Sequence, residues 1–327
     1  METTVLVVAR TDDEHVPPVA KALVERGVTC VRVDSSHLPQ KVRVAARFPA
    51  SRVNFGFADA SNVSIDLGAI DAIWWQFAPP PEVDSMVLDL EARQWALDES
   101  SHLINGCWHV AAAKWVPAAP HVIQVAQHKI LQLSLATRHG LSVPSTVVSN
   151  DAAEVIRFYE DNAGRIISKT LSRRFIGADG RDRVAHTRIM RRRDLSKLHA
   201  LRHGPAIFQS LVPKAFELRV TVVGAQLFAT EIHALHAAET RDDWRRPSRQ
   251  LPTLRVHELP ERVASACHRM VASLGLCSGA FDFVVTPDGE YVFLELNPDG
   301  SWSWVQRATG QPIAEATASL LIEKAQR

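Results

Sequence analysis

The chain has 327 residues, of which 46% are hydrophobic and 22% are charged, and its formal net charge is +1 at pH 7. This composition is that of an ordinary globular protein, long enough for two or three compact domains. The near-neutral charge predicts neither a nucleic-acid partner nor a membrane partner. The start of the chain, METTVLVVARTDDEH, carries acids where a secretory signal needs basic residues, and no apolar run is long enough to span a bilayer.

The cysteines are widely spaced and form no C-x-x-C pair; they stand at positions 30, 107, 267 and 277. This spacing favours reduced thiols in a protein core over a metal site or a disulfide framework. We therefore expect a cytoplasmic protein. Whether it forms a homodimer is left open by the sequence.

The N-terminal part of the chain has a strand–helix–strand pattern. Val5 to Ala9 is a short apolar strand, PPVAKALVERG has helical periodicity, and VTCVRVD is a second strand. Further strands are predicted in RVAARF, VNFGF and AIWWQF, before a helix-rich stretch over 82–116 and a linker from Pro117 to Pro120. The pattern predicts a parallel α/β domain over 1–118. No G-x-G-x-x-G follows the first strand, so we expect no dinucleotide site there.

From residue 124 the pattern restarts as mixed α+β. We expect helices over 124–140 and 151–161, the second opened by an Asn150-Asp151 cap, and paired strands in RIISKTL and DRVAHTRIM. A short helix is predicted near 194–203. Strands follow in AIFQSLV, FELRVTVVG and QLFATEIHAL, then a polar loop over 238–250 and a helix in PERVASACHRMVASLG. A last helix is predicted over about 312–324.

The most informative segment is GAFDFVVTPDGEYVFLELNPDGSWSW, which starts at Gly279. Two apolar, β-prone runs flank the turn residues Pro287-Asp288-Gly289, so we predict a β-hairpin. Glu295 and Asn297 share one strand face. If Asp282 lies opposite them, two carboxylates and an amide oxygen converge into a set of ligands suited to Mg²⁺. The alternative, a solvated hairpin, is disfavoured because Glu295 interrupts an apolar strand, where a bare carboxylate is costly.

Lysines are rare in this chain, since only eight of its 37 basic residues are lysines (21, 41, 114, 129, 169, 197, 214 and 324). A lysine at a given position is therefore a little less easily explained as a generic surface charge. Lysine and arginine are not equivalent where a compact ammonium group must bind a phosphate.

The order of elements from 124 onward, with D and then E-x-N on the hairpin strands, resembles the ATP-grasp ligases. The resemblance implies an N-terminal pre-ATP-grasp domain over 1–118 and ATP-grasp subdomains over 119–204 and 205–327. It implies that the metal ligands of MgATP are Asp282, Glu295 and Asn297, and that the phosphate-binding lysines are Lys129 and Lys169. By the same analogy, Leu211 and Val212 offer backbone groups to adenine, and Gln209 stands where many members have Glu.

The resemblance also implies roles for arginines. SRRFIGADGR looks like the loop that covers the triphosphate, with Arg173 and Arg174 as its cations; a plain hairpin turn at Asp179-Gly180 is an equal alternative. Arg219, Arg245 and Lys169 are the implied catalytic residues, with Arg219 placed to stabilise an acyl-phosphate.

The closer resemblance is to the microviridin-type, or graspetide, synthetases, which crosslink ribosomally made peptides. It rests on KAFELRVTVVG, on Asp243-Trp244-Arg245, and on LELNPDGSWSWVQRATGQPI. AIWWQF also resembles a strand of their N-terminal domain, although Gln76-Phe77 replaces the usual basic residues.

This family membership would imply ATP and Mg²⁺ as cofactors and a precursor peptide with leader and core segments as the partner. Asp or Glu side chains of the peptide would be activated as acyl-phosphates and joined to Ser or Thr hydroxyls (ω-ester) or Lys amines (amide). Such phosphoryl transfer needs positioning and charge neutralisation more than a protein nucleophile, and we predict no Ser-His-Asp arrangement. The alternatives are another ATP-grasp carboxylate–amine ligase, acting on free amino acids or a protein tail, and an ATP-binding protein without catalysis. Ester and amide products are not distinguished by the sequence.

Overall fold

The computed structural model describes residues 3–50, 52–57, 64–172, 174–176, 182–184, 187–233 and 252–326, with 56–57, 174–176 and 182–184 described by their backbone only. Within these ranges, no helix is long and apolar enough to cross a membrane.

The N-terminal region is built on a parallel four-stranded sheet. Its elements in chain order are β1 (Thr4–Val8), α1 (Val16–Val24), β2 (Thr29–Val33), β3 (Val42–Arg47), β4 (Arg52–Phe57), β5 (Ser64–Asp66), β6 (Ala72–Trp75), α2 (Leu90–Val110) and β7 (Lys114–Val116). The parallel order is β2-β1-β6-β7, and β3-β4-β5 form a separate antiparallel sheet. The predicted parallel α/β architecture is confirmed, and the last parallel strand, β7, ends directly before the predicted linker.

The central region holds a four-stranded antiparallel sheet, with α5 and a 3₁₀ helix packed on one face. Its elements are α3 (Pro120–Ala126), α4 (Lys129–Arg138), β8 (Thr146–Ser149), α5 (Ala152–Asp161), β9 (Ile166–Lys169), β10 (Arg174–Ile176), β11 (Asp182–Val184), β12 (Arg188–Ile189), a 3₁₀ helix (Arg192–His203) and β13 (Ala206–Ser210). The strand order is β12-β9-β13-β8, while β10 and β11 pair in a two-stranded ribbon. As predicted, Asp151 caps α5 by accepting a hydrogen bond from Ala153 N–H at 2.8 Å.

The C-terminal region is built on a five-stranded antiparallel sheet of order β16-β15-β14-β17-β18. Its elements are β14 (Phe216–Val223), β15 (Gln226–His233), β16 (Thr253–His257), α6 (Glu261–Ser273), β17 (Ser278–Val285), β18 (Tyr291–Asn297), α7 (Ser303–Thr309) and α8 (Ile313–Ala325). One face of this sheet carries an apolar core with Phe281, Phe283 and Phe293 at its centre, all 0% exposed.

The last two helices, α7 and α8, pack on the N-terminal sheet. Trp302, Val305 and several α8 residues share one buried cluster with Val5 and Val7 of β1. The segment that follows the predicted metal ligands is therefore buried against the first domain of the chain.

Several features differ from the sequence prediction. β7 lies at the end of the stretch expected to be helix-rich, and β5 was not predicted. The helix expected over 124–140 is broken at Gln127-His128 into α3 and α4, and α7 was not anticipated. β16 was also missed, because its five residues, TLRVH, form too short a run to stand out from the loop before it. The loop predicted over 238–250 lies outside the described residues.

Candidate active site

The predicted β-hairpin exists and puts Asp282 directly opposite Glu295. β17 and β18 are antiparallel neighbours, with Asp282 paired to Glu295 and Ala280 paired to Asn297. On the other side of β17, Arg219 of β14 is paired to Asp282. Because paired residues in neighbouring strands project from the same face, these side chains form a polar row on the face opposite the phenylalanine core.

A β-bulge makes this arrangement compatible with the core. The pairing register shifts between Asp282 and Phe283, so Leu294 is an extra residue on β18. Phe293 and Leu296 can then both face the core although they are three residues apart. The same shift puts Glu295 and Asn297 on the polar face, since strict alternation from Phe293 would turn them toward the core. Bulges commonly re-aim side chains beside active sites.

Hydrogen bonds and an ion pair hold the side chains of the polar row in two groups, one around Asp282 and one around Glu295. Arg219 Nη1 donates to Asp282 Oδ1 at 2.7 Å, and Asn297 Nδ2 donates to Asp282 Oδ2 at 3.1 Å. Lys129 Nζ lies 2.6 Å from Glu295 Oε2. The Asp282 and Glu295 side chains are each only 13% exposed, so both carboxylates are largely buried and both are matched by a cation.

The donor set fits Mg²⁺, which takes a few protein oxygens and completes its coordination with phosphates and water. Two carboxylates and one amide oxygen meet in this row. Among the described residues, no group of three His, Cys, Asp or Glu side chains is arranged to hold a metal ion. The candidate site therefore depends on Asn297 and on ligands that a bound nucleotide would bring.

Lys129 is fixed by its place at the first residue of α4, a helix that is tied to β18 by Gln132. Gln132 Nε2 donates to the Leu296 carbonyl at 2.8 Å, and Leu296 N–H donates to Gln132 Oε1 at 3.0 Å. The Gln132 side chain, which is 2% exposed, thus pairs the backbone N–H and carbonyl of Leu296, as a neighbouring strand would do at this edge of β18. Gln132 was not among the predicted site residues, and its only signal in the sequence is a polar residue on the apolar side of a predicted helix.

The central sheet carries Lys169 and Gln209 on one face. Lys169 is paired to Ile207, and Gln209 stands two residues further along β13, so their side chains share a face. The opposite face holds Phe208 and Ile166, which pack in a separate apolar cluster with α5. The face that carries Lys169 and Gln209, together with Ile207 and Ile167, is therefore the one available to a nucleotide.

The side-chain amide of Gln209 has one buried atom without a hydrogen-bond partner. Its Nε2 donates to Thr146 Oγ1 at 3.0 Å, but its Oε1 is buried without a partner. A buried acceptor of this kind is costly unless a ligand donates to it, and the amino group of adenine is such a donor. This observation supports the adenine-binding role that the sequence implied.

The strand after Gln209 partly fits the expected hinge. Leu211 N–H donates to the Arg165 carbonyl at 2.9 Å, so this group already has a partner. Leu211 is 37% exposed. Next along the chain, Lys214 forms an ion pair with Glu217, whose side chain is 14% exposed. Of the two predicted hinge residues, the structure thus leaves Val212 as the better candidate backbone donor.

The other predicted cations are not placed. Arg174 lies in β10, for which only the backbone is described, and Arg173 and Arg245 lie outside the described residues. β10 and β11 pair as a ribbon around the predicted phosphate loop, 172–181, whose tip at 177–181 also lies outside them. Both alternatives for this segment, a covering loop and a plain hairpin, therefore stay open.

The segment after Asn297 lies tightly against the sheet. A Cβ atom at Gly300 would fall 2.1 Å from the Ala280 side chain, and Ala280 is the cross-strand partner of Asn297. Only glycine allows this approach. The glycine of the NPDG sequence thus brings the following residues, Ser301 to Trp304, next to the polar row.

A second polar cluster lies on the core face of the same sheet, away from the row. Glu231 accepts from His233 Nε2 at 2.6 Å and is 2.8 Å from His257 Nδ1, while His257 Nε2 is 2.7 Å from the Tyr291 hydroxyl. Burial raises the pKa of Glu231, but the histidine hydrogen bonds outweigh it, so that the pKa lies below its ordinary value. This cluster joins β15, β16 and β18.

Comparison with known proteins places the chain in a family. A family model for the MvdD pre-ATP grasp domain matches residues 4–122. The crystal structure of the macrocyclase MdnB from Microcystis aeruginosa MRC is 31% identical, covers 98% of this chain and 99% of that chain, and has a TM-score of 0.81. The chain therefore belongs to the graspetide, or microviridin-type, family of ATP-grasp ligases.

Two further structures support the same assignment. The macrocyclase MdnC from the same organism, bound to its precursor peptide MdnA, is 28% identical over 98% of this chain and 100% of that chain, with a TM-score of 0.86. An ATP-grasp ligase from Chryseobacterium gregarium, in complex with ADP and a leader and core peptide, is 25% identical over 98% and 97%, with a TM-score of 0.89. No curated protein matches the chain.

Proposed function

We propose that this protein is an ATP-dependent, ADP-forming ligase that crosslinks side chains within a ribosomally made precursor peptide. Carboxylates of Asp or Glu would be activated as acyl-phosphates and captured by Ser or Thr hydroxyls, or by Lys amines. The observation that carries the proposal is the row of Arg219, Asp282 and Glu295, flanked by Asn297 and Lys129. Its support from related proteins is that MdnC is bound with a precursor peptide, and the C. gregarium ligase with ADP and peptide.

Each group in the row has a role in this chemistry. Asp282, Glu295 and Asn297 would hold magnesium, which neutralises the triphosphate and orients its terminal phosphoryl group for in-line transfer. Lys129 and Lys169 would bind the phosphates, and Gln209 would accept a hydrogen bond from adenine. Arg219, which is 6% exposed, would offer its guanidinium to the transferring phosphoryl group. The peptide carboxylate supplies the attacking oxygen, so no protein nucleophile is needed.

Lys129 is placed for a change of partner. It now balances Glu295, but a carboxylate bound to magnesium needs no second cation at the same oxygen. We infer that Lys129 leaves Glu295 for the nucleotide phosphates when MgATP binds. The same ion pair would otherwise keep Glu295 from being a bare buried charge in the nucleotide-free enzyme.

The proposal is tested with the purified protein, MgATP and a candidate precursor peptide that carries Ser or Thr and Asp or Glu residues, chosen from any short open reading frame found beside the gene. We expect ADP as the nucleotide product and loss of one water from the peptide for each crosslink, measured by intact mass. Mild base should reopen ester crosslinks and leave amides intact. A product that gains an amino acid without dehydration would instead identify a ligase for free amino acids, and AMP with pyrophosphate would overturn the acyl-phosphate mechanism.

A further inference from the structure

The loop between β1 and α1 touches the segment that follows β18, through a buried histidine. His15 is 4% exposed, and its Nδ1 lies 2.7 Å from Asp13 Oδ1. On the other side of the ring, Trp302 N–H donates to Nε2 at 3.2 Å, and Ser301 Oγ lies 3.3 Å from the same nitrogen. The ring of His15 also meets the Trp302 ring edge-on, with centroids 4.9 Å apart.

These contacts fix the tautomer of His15. A backbone N–H can only donate, so Nε2 must be the acceptor and the ring proton must sit on Nδ1. Nδ1 then donates to Asp13, which also accepts from His15 N–H at 2.8 Å. Asp13 therefore holds the imidazole in the one form that can accept from Trp302.

The segment that His15 holds also holds Arg219. The Ser301 carbonyl accepts from Arg219 Nη2 at 3.3 Å and from Trp304 Nε1 at 3.2 Å. The Trp304 ring lies 5.8 Å from the Arg219 guanidinium carbon, a cation–π contact. Arg219 Nη1 donates to Asp282 at 2.7 Å. A chain of direct contacts thus connects Asp13, in the first loop of the protein, to a proposed magnesium ligand.

Asp13, His15 and Ser301 have the residue types of a catalytic triad, which the sequence analysis did not predict. Their geometry favours a structural role, in which His15 holds the Ser301–Trp302 backbone, over a role for Ser301 as a nucleophile. Nε2 has one lone pair in the ring plane, and the Trp302 N–H competes for it with Ser301. Both ring nitrogens of the buried imidazole are already engaged, Nδ1 by Asp13 and Nε2 by the Trp302 N–H.

We propose that His15 is a positioning residue for the phosphoryl-transfer site: it fixes the Ser301–Trp302 backbone, so that the Ser301 carbonyl can lock the guanidinium of Arg219. Arginine has several flexible torsions, and without this acceptor the guanidinium would sample positions away from the transferring phosphoryl group. This inference rests on the proposed function, and it assigns the first loop of the N-terminal region a part in the chemical step.

The test compares two histidine replacements that mimic different ring nitrogens. In His15→Gln the side-chain amide reaches about as far as Nε2 and can still accept from Trp302 N–H, whereas in His15→Asn it reaches only about as far as Nδ1. We expect His15→Asn to lower kcat by about tenfold or more, with KM for ATP changed by less than about twofold, and His15→Gln to recover most of the loss. Hydrogen exchange of the Trp302 amide should be faster in His15→Asn than in His15→Gln.

A matched control is Glu14, the neighbouring residue, which joins the same two segments without touching the contacts of Arg219. Glu14 bonds to Ser303 and, at 2.6 Å, to Arg307 Nη1. We expect Glu14→Ala to leave kcat within about twofold, because an exposed ion pair contributes little. Ser301→Ala tests the nucleophile alternative, because it removes the hydroxyl and keeps the backbone carbonyl that accepts from Arg219.

The outcomes separate this inference from the function on which it rests. If the unaltered protein forms no ADP with its peptide, the proposed function fails. If it does, but His15→Asn and His15→Gln both retain full kcat, His15 is not a positioning residue. If Glu14→Ala lowers kcat as much as His15→Asn does, the effect of His15 comes from general packing between the two segments. If Ser301→Ala abolishes activity, Ser301 acts as a nucleophile and the positioning role of His15 is wrong.

Discussion

Lys129 Nζ lies 2.6 Å from Glu295 Oε2, so the lysine that opens α4 holds the carboxylate at the centre of the proposed magnesium site. A side chain expected to bind phosphate and one expected to bind metal neutralise each other in the nucleotide-free protein. Two consequences can be measured separately, one for each partner.

Glu295→Gln should abolish ADP formation while the fold remains intact, because a neutral amide cannot replace a charged magnesium ligand. The rate should fall by about 100-fold or more, as when other preorganised charge-stabilising groups are removed. ADP release and thermal unfolding would be measured together. Glu290→Gln is the matched control, since Glu290 is an exposed acid at the turn of the same hairpin and should leave the rate unchanged. Full activity in Glu295→Gln would remove Glu295 from the metal site.

Lys129→Ala should have opposite effects on metal and nucleotide. Without its lysine, Glu295 is an unbalanced buried carboxylate, so Mg²⁺ alone should raise the melting temperature more in the variant than in the unaltered protein. The affinity for MgATP should fall, because a phosphate contact is lost. Thermal shift with Mg²⁺ alone and calorimetry with MgATP check the two effects, with exposed Lys197→Ala as the control. Unchanged responses to both ligands would show that Lys129 serves neither.

Gln132→Ala should destabilise the protein by about 2–4 kcal/mol, because its amide makes three buried hydrogen bonds, to Ala126, Leu296 carbonyl and Leu296 N–H. The loss leaves two backbone groups of β18 unpaired. Urea unfolding gives the change in free energy. Gln94→Ala, which removes an exposed glutamine bonded to Asp98, should cost less than about 0.5 kcal/mol. A small effect in Gln132→Ala would mean that water can replace the amide at this edge.

The Glu231 cluster predicts an acid-sensitive contribution to stability. The pKa of Glu231 is lowered in the folded protein, because the hydrogen bonds from His233 and His257 outweigh burial. A lowered pKa stabilises the folded state above the ordinary value of 4.5, and the contribution is lost as the pH falls through the folded value. Urea midpoints of Glu231→Gln should therefore lie below those of the unaltered protein at neutral pH and converge with them in acid. A constant gap across the titration would assign the effect to packing instead.

Local patterns determined the parts of the site that the sequence predicted. The turn at Pro287-Asp288-Gly289 and the apolar runs around it predicted the hairpin, and Asp282 opposite Glu295 was a condition of the metal-site prediction, which the pairing meets. Regular pairing outward from the turn would instead set Asp282 across from Leu294, so the observed pair depends on the bulge. The bulge at Leu294 was missed, although two apolar residues, Phe293 and Leu296, three apart around one acid were a signal for it. A hairpin is specified within about 20 residues of chain, whereas its bulge depends on which side chains the core selects.

Other features depend on contacts that no local pattern reports. His15 and Trp302 are 287 positions apart, and Gln132 and Leu296 are 164 apart. Each was an ordinary polar residue in its own segment, and its role appears only when the first loop and α4 pack on the C-terminal sheet. The break between α3 and α4 is of the same kind, since it places Lys129 at a helix start, from where its side chain reaches Glu295.

The most direct test of the central claim follows an oxygen atom. The peptide carboxylates would be labelled with ¹⁸O, the crosslinking reaction run with MgATP, and the phosphate products analysed by ³¹P NMR. Attack of the carboxylate on the terminal phosphoryl group and later release of phosphate must carry one labelled oxygen into inorganic phosphate for each bond formed. We predict that label in phosphate, with ADP unlabelled. Label in AMP, or phosphate free of label while crosslinks form, would contradict an acyl-phosphate intermediate.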